Sequence, residues 1–128
     1  MARTTQLSLR LKSKPGVLAS LTRALADAGV NITALSTDGT AGRGQIRMLV
    51  NNPVKAKRAL RKARYRFTEE PAFVVRLQNK PGALARVTAR LAKARVNIKS
   101  SYATTTGRGS SAVVFTVGSV KKARKILR

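Results

Sequence analysis

One segment of this chain is written twice. Residues 9–32 read LRLKSKPGVLASLTRALADAGVNI and residues 75–98 read VRLQNKPGALARVTARLAKARVNI, aligned without a gap at an offset of 66 residues. Lys14/Lys80, Leu18/Leu84, Thr22/Thr88, Leu25/Leu91 and Asn31/Asn97 fall in register. Solenoid repeats have periods of about 20–50 residues, so repetition on this longer scale points to two copies of one small domain. A unit of about 60 residues hides only roughly 60% of the surface of its unfolded chain and is marginal by itself. The expectation is two domains, residues 1–70 and 71–128, packed together or against a second chain. Function is then to be sought in a duplicated site or a repeated surface.

Within each copy the apolar pattern changes period in the same order. Leu7, Leu9 and Leu11 alternate with Ser8, Arg10 and Lys12, and Phe73, Val75 and Leu77 alternate likewise, as in a half-buried strand. Pro-Gly follows, then Leu18, Leu21, Leu25 and Ala28 at helical spacing, repeated as Leu84, Val87, Leu91 and Ala94. Gly29 suits the left-handed residue that ends many helices; the second copy carries Arg95 there, at a cost if the backbone is kept. Residues 30–37 and 96–103 read as strands leading into Gly/Thr-rich turns over 39–44 and 104–109. The returning strands align Ile46, Met48 and Val50 with Val113, Phe115 and Val117 at an offset of 67, so the second hairpin is one residue longer. Second helices are expected over 53–63 and 119–128, the first opened by Pro53. Residues 65–69 read as a closing strand and Glu69-Glu70-Pro71 as a linker.

The predicted class is therefore α+β: two ferredoxin-like β-α-β-β-α-β units in tandem, each an antiparallel sheet with helices on one face. The second unit is expected to lack its last strand, because the sequence stops at Arg128. An unfinished sheet edge invites pairing, and a homodimer is expected from it.

Composition narrows the chemistry. The chain has no His and no Cys, and only four acids, Asp27, Asp38, Glu69 and Glu70. That removes the usual proton shuttle and thiol nucleophile and leaves too few carboxylates for a metal cage. Neither an enzyme nor a cofactor is expected. No apolar run approaches the roughly 20 residues of a membrane span, and the start MARTTQLSLRLK lacks the apolar core of a signal peptide. A cytoplasmic protein without a membrane partner is the expectation.

Charge is the second unusual feature. Twenty-seven Lys and Arg face those four acids, a net +23. Lys55, Lys57, Arg58, Arg61 and Lys62 cluster on one second helix, and Lys121, Lys122, Arg124 and Lys125 on the other. Such faces attract polyanions through counterion release, without reading bases. The central strands offer only Phe115, which alternation points inward, so base stacking of the RNA-recognition kind is not expected.

Asn79-Lys80-Pro81-Gly82-Ala83-Leu84, the helix LTRALADAG and the Val-Asn-Ile that opens the next strand together resemble the ACT domain. That family comprises small ligand-sensing modules, often for amino acids, found in regulated metabolic enzymes. The resemblance spans nearly the whole chain as a tandem pair. It implies an effector held where two ACT domains meet, against the loop between first strand and first helix. On that basis Asn79, Gly82, Ala83, Leu84, Asn97 and Ile98 form the better site, and Gly16, Val17, Leu18, Asn31 and Ile32 the corresponding patch. A helix start leaves N–H groups that favour a carboxylate, and the Asn79 amide oxygen can accept from an ammonium group. Ser13 stands where the family usually has Asn or Asp, and Arg95 replaces a common Gly. A plainer reading stays open, in which Pro-Gly only starts the helix and Asn31 and Asn97 only bond the adjacent turn.

The implied function is a non-catalytic regulatory module for an amino acid or similar small molecule. The alternative is a strongly basic module that holds nucleic acid or another polyanion non-specifically.

Overall fold

A computed structural model of the chain describes residues 2–40, 42–105 and 109–127. Among them are six strands and four helices, gathered into two compact units. One unit is Thr5–Glu70; the other is Pro71–Arg128 together with Met1–Thr4.

In the Thr5–Glu70 unit the order is β1 (Ala2–Lys12, entering at Thr5), α1 (Val17–Asp27), β2 (Ile32–Thr40), β3 (Arg43–Val50) and α2 (Pro53–Lys62), with the start of β4 (Thr68–Gln78). Strand β3 is flanked by antiparallel β1, pairing Leu7 with Met48 and Leu9 with Ile46, and by β2, pairing Leu35 with Met48. This register gathers the period-two patterns onto one face. Leu7, Leu9, Ile46, Met48 and Val50 form that face and pack against Leu21 and Leu25 of α1 and Ala56 and Leu60 of α2. Each fully buried leucine contributes roughly 1.5–3 kcal/mol, so this sandwich of sheet and two helices carries the unit. Helix α2 begins on Pro53 because a first-turn residue needs no N–H partner, and Asn52 Oδ1 accepts the Lys55 N–H at 3.1 Å.

The second unit repeats the plan with β4 from Pro71, α3 (Ala83–Lys93), β5 (Ile98–Thr105), β6 (Ser110–Val117) and α4 (Val120–Ile126). β6 is central, pairing Phe115 with Phe73 and Val114 with Tyr102. Phe73, Val75, Val113, Phe115 and Val117 pack against Val87, Leu91, Ala123 and Leu127. An Arg90 guanidinium N–H of α3 donates to the Ile126 carbonyl at 2.7 Å, tying α3 to the last turn of α4. No strand follows α4 among the described residues; the beginning of β1 belongs to this unit instead.

Both first helices end the same way. Val30 N–H reaches the Leu25 carbonyl at 3.0 Å, and Val96 N–H reaches Leu91 at 2.9 Å, across a left-handed residue. That residue is Gly29 at φ 74° in one unit and Arg95 at φ 58° in the other, so the backbone is kept despite the side chain.

Three local expectations change. Residues 65–67 are not strand; Tyr65 and Phe67 lay their rings on the first core, and β4 starts at Thr68. Glu69-Glu70-Pro71 is strand rather than linker, with Lys57 Nζ 3.0 Å from Glu69 and the Gln6 amide donating to Glu70 at 3.3 Å. Leu18 and Leu84, placed on the apolar helical stripe and also among the site residues the resemblance implies, are 38% and 45% exposed. The inward place in the first helical turn falls to Val17 and Ala83, one residue earlier, which lie four residues before Leu21 and Val87. Position 41 of the first expected turn, positions 106–108 of the second and Arg128 lie outside the described residues.

Candidate functional site

The same corner is open in both units. Gly16 and Gly82 precede α1 and α3 at φ 90° and 89°, and neither helix has a side-chain cap. A β-carbon at either glycine would meet nothing within 4 Å, so the backbone angle and not crowding calls for glycine there. Val17 and Ala83 N–H donate to the Lys14 and Lys80 carbonyls at 3.3 Å, and the N–H groups that follow them in the first turn are those a helix start leaves without an intrahelical partner, with partial positive charge. The loop before each helix is tied to the hairpin turn beside it. Ser13 N–H donates to Gly42 O and Asn79 N–H to Gly109 O, each at 2.9 Å.

Between loop, helix start and hairpin lies a cleft of about 190 Å³ in the first unit and about 250 Å³ in the second. Leu18 lines the first and Leu84 the second, which explains why these two leucines face out of the core. Val17 and Ala83 form part of the floor in the same two clefts.

The linings differ in chemistry. The first cleft has Lys12, Lys14 and Asp38, with Arg47 at 3.5 Å from the Asp38 carboxylate. Gly39 and Gly44 leave its hairpin wall bare; a β-carbon at Gly39 would collide with the Ser13 hydroxyl. In the second cleft Thr105 and Ser111 pair across the hairpin, as Gly39 and Gly44 do in the first. Gln78, Asn79, Thr104, Thr105 and Ser111 give it a neutral hydrogen-bonding wall, and among the described residues Lys80 is its sole charged one. That wall and an uncapped helix start suit a carboxylate beside a polar group.

The residues named from sequence divide into two groups. Asn79, Ala83 and Leu84 line one cleft and Val17 and Leu18 the other, with Gly82 and Gly16 adjoining as the N-caps. Asn31, Ile32, Asn97 and Ile98 are not brought to the clefts of their own units. Ile32 opens β2 while Thr37–Gly39 near its end line the cleft, about 16 Å apart at roughly 3.3 Å per residue. Asn31 instead exchanges hydrogen bonds with Asn51, its N–H to Asn51 Oδ1 and its carbonyl from Asn51 N–H, both 3.0 Å. Asn97 O accepts from Gly118 N–H at 2.8 Å. The residues that sequence reasoning missed are the hairpin wall, Thr37–Gly39 and Thr104, Thr105 and Ser111. Their signal was the Gly/Thr-rich turn, which marked a bend but not what it folds over.

The cationic helices are also in place. Lys55, Arg58, Arg61 and Lys62 of α2 are exposed, while Lys57 is half-buried against Glu69. Lys121, Lys122, Arg124 and Lys125 of α4 are exposed, and none has an acid within 4 Å among the described residues. Among the described residues no group of three or more His, Cys, Asp or Glu is placed to hold a metal, and no helix is long and apolar enough to cross a membrane.

A family model described as an ACT domain pair matches residues 2–128. A solved structure of a protein from Bacteroides thetaiotaomicron is similar at 30% identity and TM-score 0.91, covering 98% of this chain and 86% of its own. The ligand-free regulatory subunit of aspartate kinase from Thermus thermophilus shares the fold at 19% identity and TM-score 0.72, covering 99% of this chain and 91% of that one. The corresponding subunit from Thermus flavus does so at 18% identity and TM-score 0.70, covering 99% and 92%. Sequence comparison with curated proteins gives no significant match.

Proposed function

The chain belongs to the ACT family as a domain pair, and from that membership we propose that it is a non-catalytic regulatory module whose Pro-Gly clefts bind an amino acid or a similar small zwitterion. One observation carries this reading: each unit presents an uncapped helix start, a bare glycine and an outward leucine around one cleft. The ligand's carboxylate meets the first-turn N–H groups of α3, where the helix dipole favours an anion. The Asn79 amide oxygen accepts from its ammonium group, and Leu84 covers its side chain. The solved relatives that are regulatory subunits of aspartate kinase support a regulatory role of this kind. A homodimer is part of the same reading.

A thermal-shift screen of the common amino acids at about 0.15 M salt tests it. The right ligand at a hundred times its Kd stabilises the protein by about 2.7 kcal/mol. Asn79→Ala, at an exposed position, leaves the ligand-free melting temperature within about 2 °C, while Leu84→Ala, at a position 45% exposed, lowers it by about 4 °C, roughly 1 kcal/mol. Both weaken binding about tenfold, the loss of one hydrogen bond or one apolar contact. A flat response to every amino acid, in wild type and variants alike, retires the proposal.

The unpaired cations of α4 favour a second reading, non-specific association with polyanions. Its mark is an affinity for DNA or heparin that falls steeply with salt. Neutralising Lys121, Lys122, Arg124 and Lys125 then flattens that dependence, and tight binding indifferent to salt speaks against the reading.

A further inference from the structure

The Thr5–Glu70 unit holds a second concavity that the ACT reading does not use. It measures about 1010 Å³, and its lining brings together Arg10 of β1, Arg61 of α2 and Arg66 of the segment that joins α2 to β4. We propose that this cavity is a binding site for a phosphate-bearing small molecule, held by these three guanidinium groups.

Three features separate it from the general positive surface. First, its charge is not cancelled. The one carboxylate in the lining is Glu69, and that carboxylate already has Lys57 at 3.0 Å. Second, its central cation is held in place. The Arg61 guanidinium lies 5.4 Å from the centroid of the Phe67 ring, and Phe67 is itself packed on the core. Stacking occupies the face of the guanidinium and leaves its N–H edge free to meet oxygen. Third, the cations surround a volume of about 1010 Å³, against about 300 Å³ for the concavity that Arg76, Lys80, Arg86 and Arg90 line in the other unit. The four exposed cations of α4 sit on a helix surface and line neither this cavity nor the two clefts, whereas Arg10, Arg61 and Arg66 come from three different segments around one space.

The neutral lining fits the same ligand class. Ser8 and Gln45 on the outer sheet face and Thr68 at the start of β4 add hydroxyl and amide donors, and Tyr65 adds an aromatic wall. Guanidinium forks match phosphate oxygens two at a time, and such charge-assisted bonds are about twice as strong as neutral ones. The volume lies at the top of the roughly 300–1,000 Å³ typical of small-ligand pockets, more than inorganic phosphate alone fills. An organic phosphate, such as a nucleoside diphosphate, meets both the charge and the size. This site is separate from the Pro-Gly clefts and stands or falls without them.

The test is calorimetric titration of the full chain with ADP at about 0.15 M salt, where exposed charges are largely screened. ADP is expected to saturate one site per chain. Adenosine binds at least about tenfold more weakly, since it lacks the charge-assisted bonds. Arg10→Gln with Arg66→Gln lowers ADP affinity about tenfold or more, while Lys121→Gln with Lys125→Gln, which removes equal charge, lowers it less than about twofold. Pyrophosphate is the second arm: equal affinity assigns the site to the phosphates alone, weaker affinity to a nucleotide, and either supports the proposal. Amide shifts in the wild-type protein give a readout that needs no variant, and they should cluster at Ser8, Arg10 and Tyr65–Thr68. No saturation, equal losses in the two double variants, adenosine binding as tightly as ADP, or shifts spread over α4 would each overturn it.

Discussion

Arg95 holds a left-handed backbone at φ 58°, the conformation its repeat partner Gly29 holds at φ 74°. An L-residue with a β-carbon is disfavoured there by roughly 1–2 kcal/mol, and glycine gives back part of that through the freedom of its unfolded chain. Arg95→Gly is therefore expected to stabilise the chain by about 1 kcal/mol, read as a shift in the urea midpoint with unchanged slope. A destabilised variant would mean that the Arg95 side chain makes a contribution larger than the strain. Leu18 and Leu84 illustrate the opposite situation at the same scale. Their side chains are large and apolar, yet they sit at cleft walls and not in the core. Truncating them removes about half of a leucine's burial, roughly 1 kcal/mol, less than at Leu21 or Leu91 in the core, and adds a loss of binding that the core leucines do not give.

Each unit contains one helix that begins with a cap and one that begins without. Asn52 and Ser119 accept the Lys55 and Lys122 N–H groups at 3.1 and 3.3 Å, closing the starts of α2 and α4. The starts of α1 and α3 carry glycine and no cap, and both open on clefts. A capped start has its donors satisfied internally, while an uncapped one keeps them for solvent or a ligand. Asn52→Ala should cost about 1 kcal/mol of stability in thermal or chemical unfolding. It should leave amino-acid binding at the Pro-Gly clefts unchanged, because α2 lines neither of them. A change in that binding would mean the two helix starts are not independent.

Across the whole chain, electrostatics is set by a net charge of +23 on 128 residues. Ion pairs such as Arg23–Asp27, Arg47–Asp38 and Lys57–Glu69 use acids of which the chain has only four, so a large excess of positive charge remains. Like charges at this density repel within the folded state, and salt screens them over about 10 Å at 0.1 M. The melting temperature should rise by several degrees between about 0.02 and 0.3 M sodium chloride, measured by calorimetry. A temperature that falls or stays flat with added salt would show that the cations are spaced widely enough not to interact.

Much of this molecule is legible in the amino-acid order alone. The duplicated segment, the change from period two to helical spacing and the Pro-Gly corners place Leu7, Leu9, Leu21, Leu25, Phe73, Leu91 and Phe115 in the cores where they are found. Gly29 and Arg95 as helix-ending residues are legible for the same reason, since they depend on chain neighbours alone. The outward turn of Leu18 and Leu84 is not, because a helical stripe about four residues wide does not say which of two adjacent residues the sheet accepts. Nor is the hairpin wall of Thr37–Gly39 and Thr104, Thr105 and Ser111, which reaches the Pro-Gly corner only through strand register. The Arg10, Arg61 and Arg66 cavity likewise joins residues far apart in sequence. Local periodicity and backbone preference are properties of a short stretch, and the amino-acid order determines them directly. What lies opposite a given face depends on pairing between distant segments, and only the folded chain decides it.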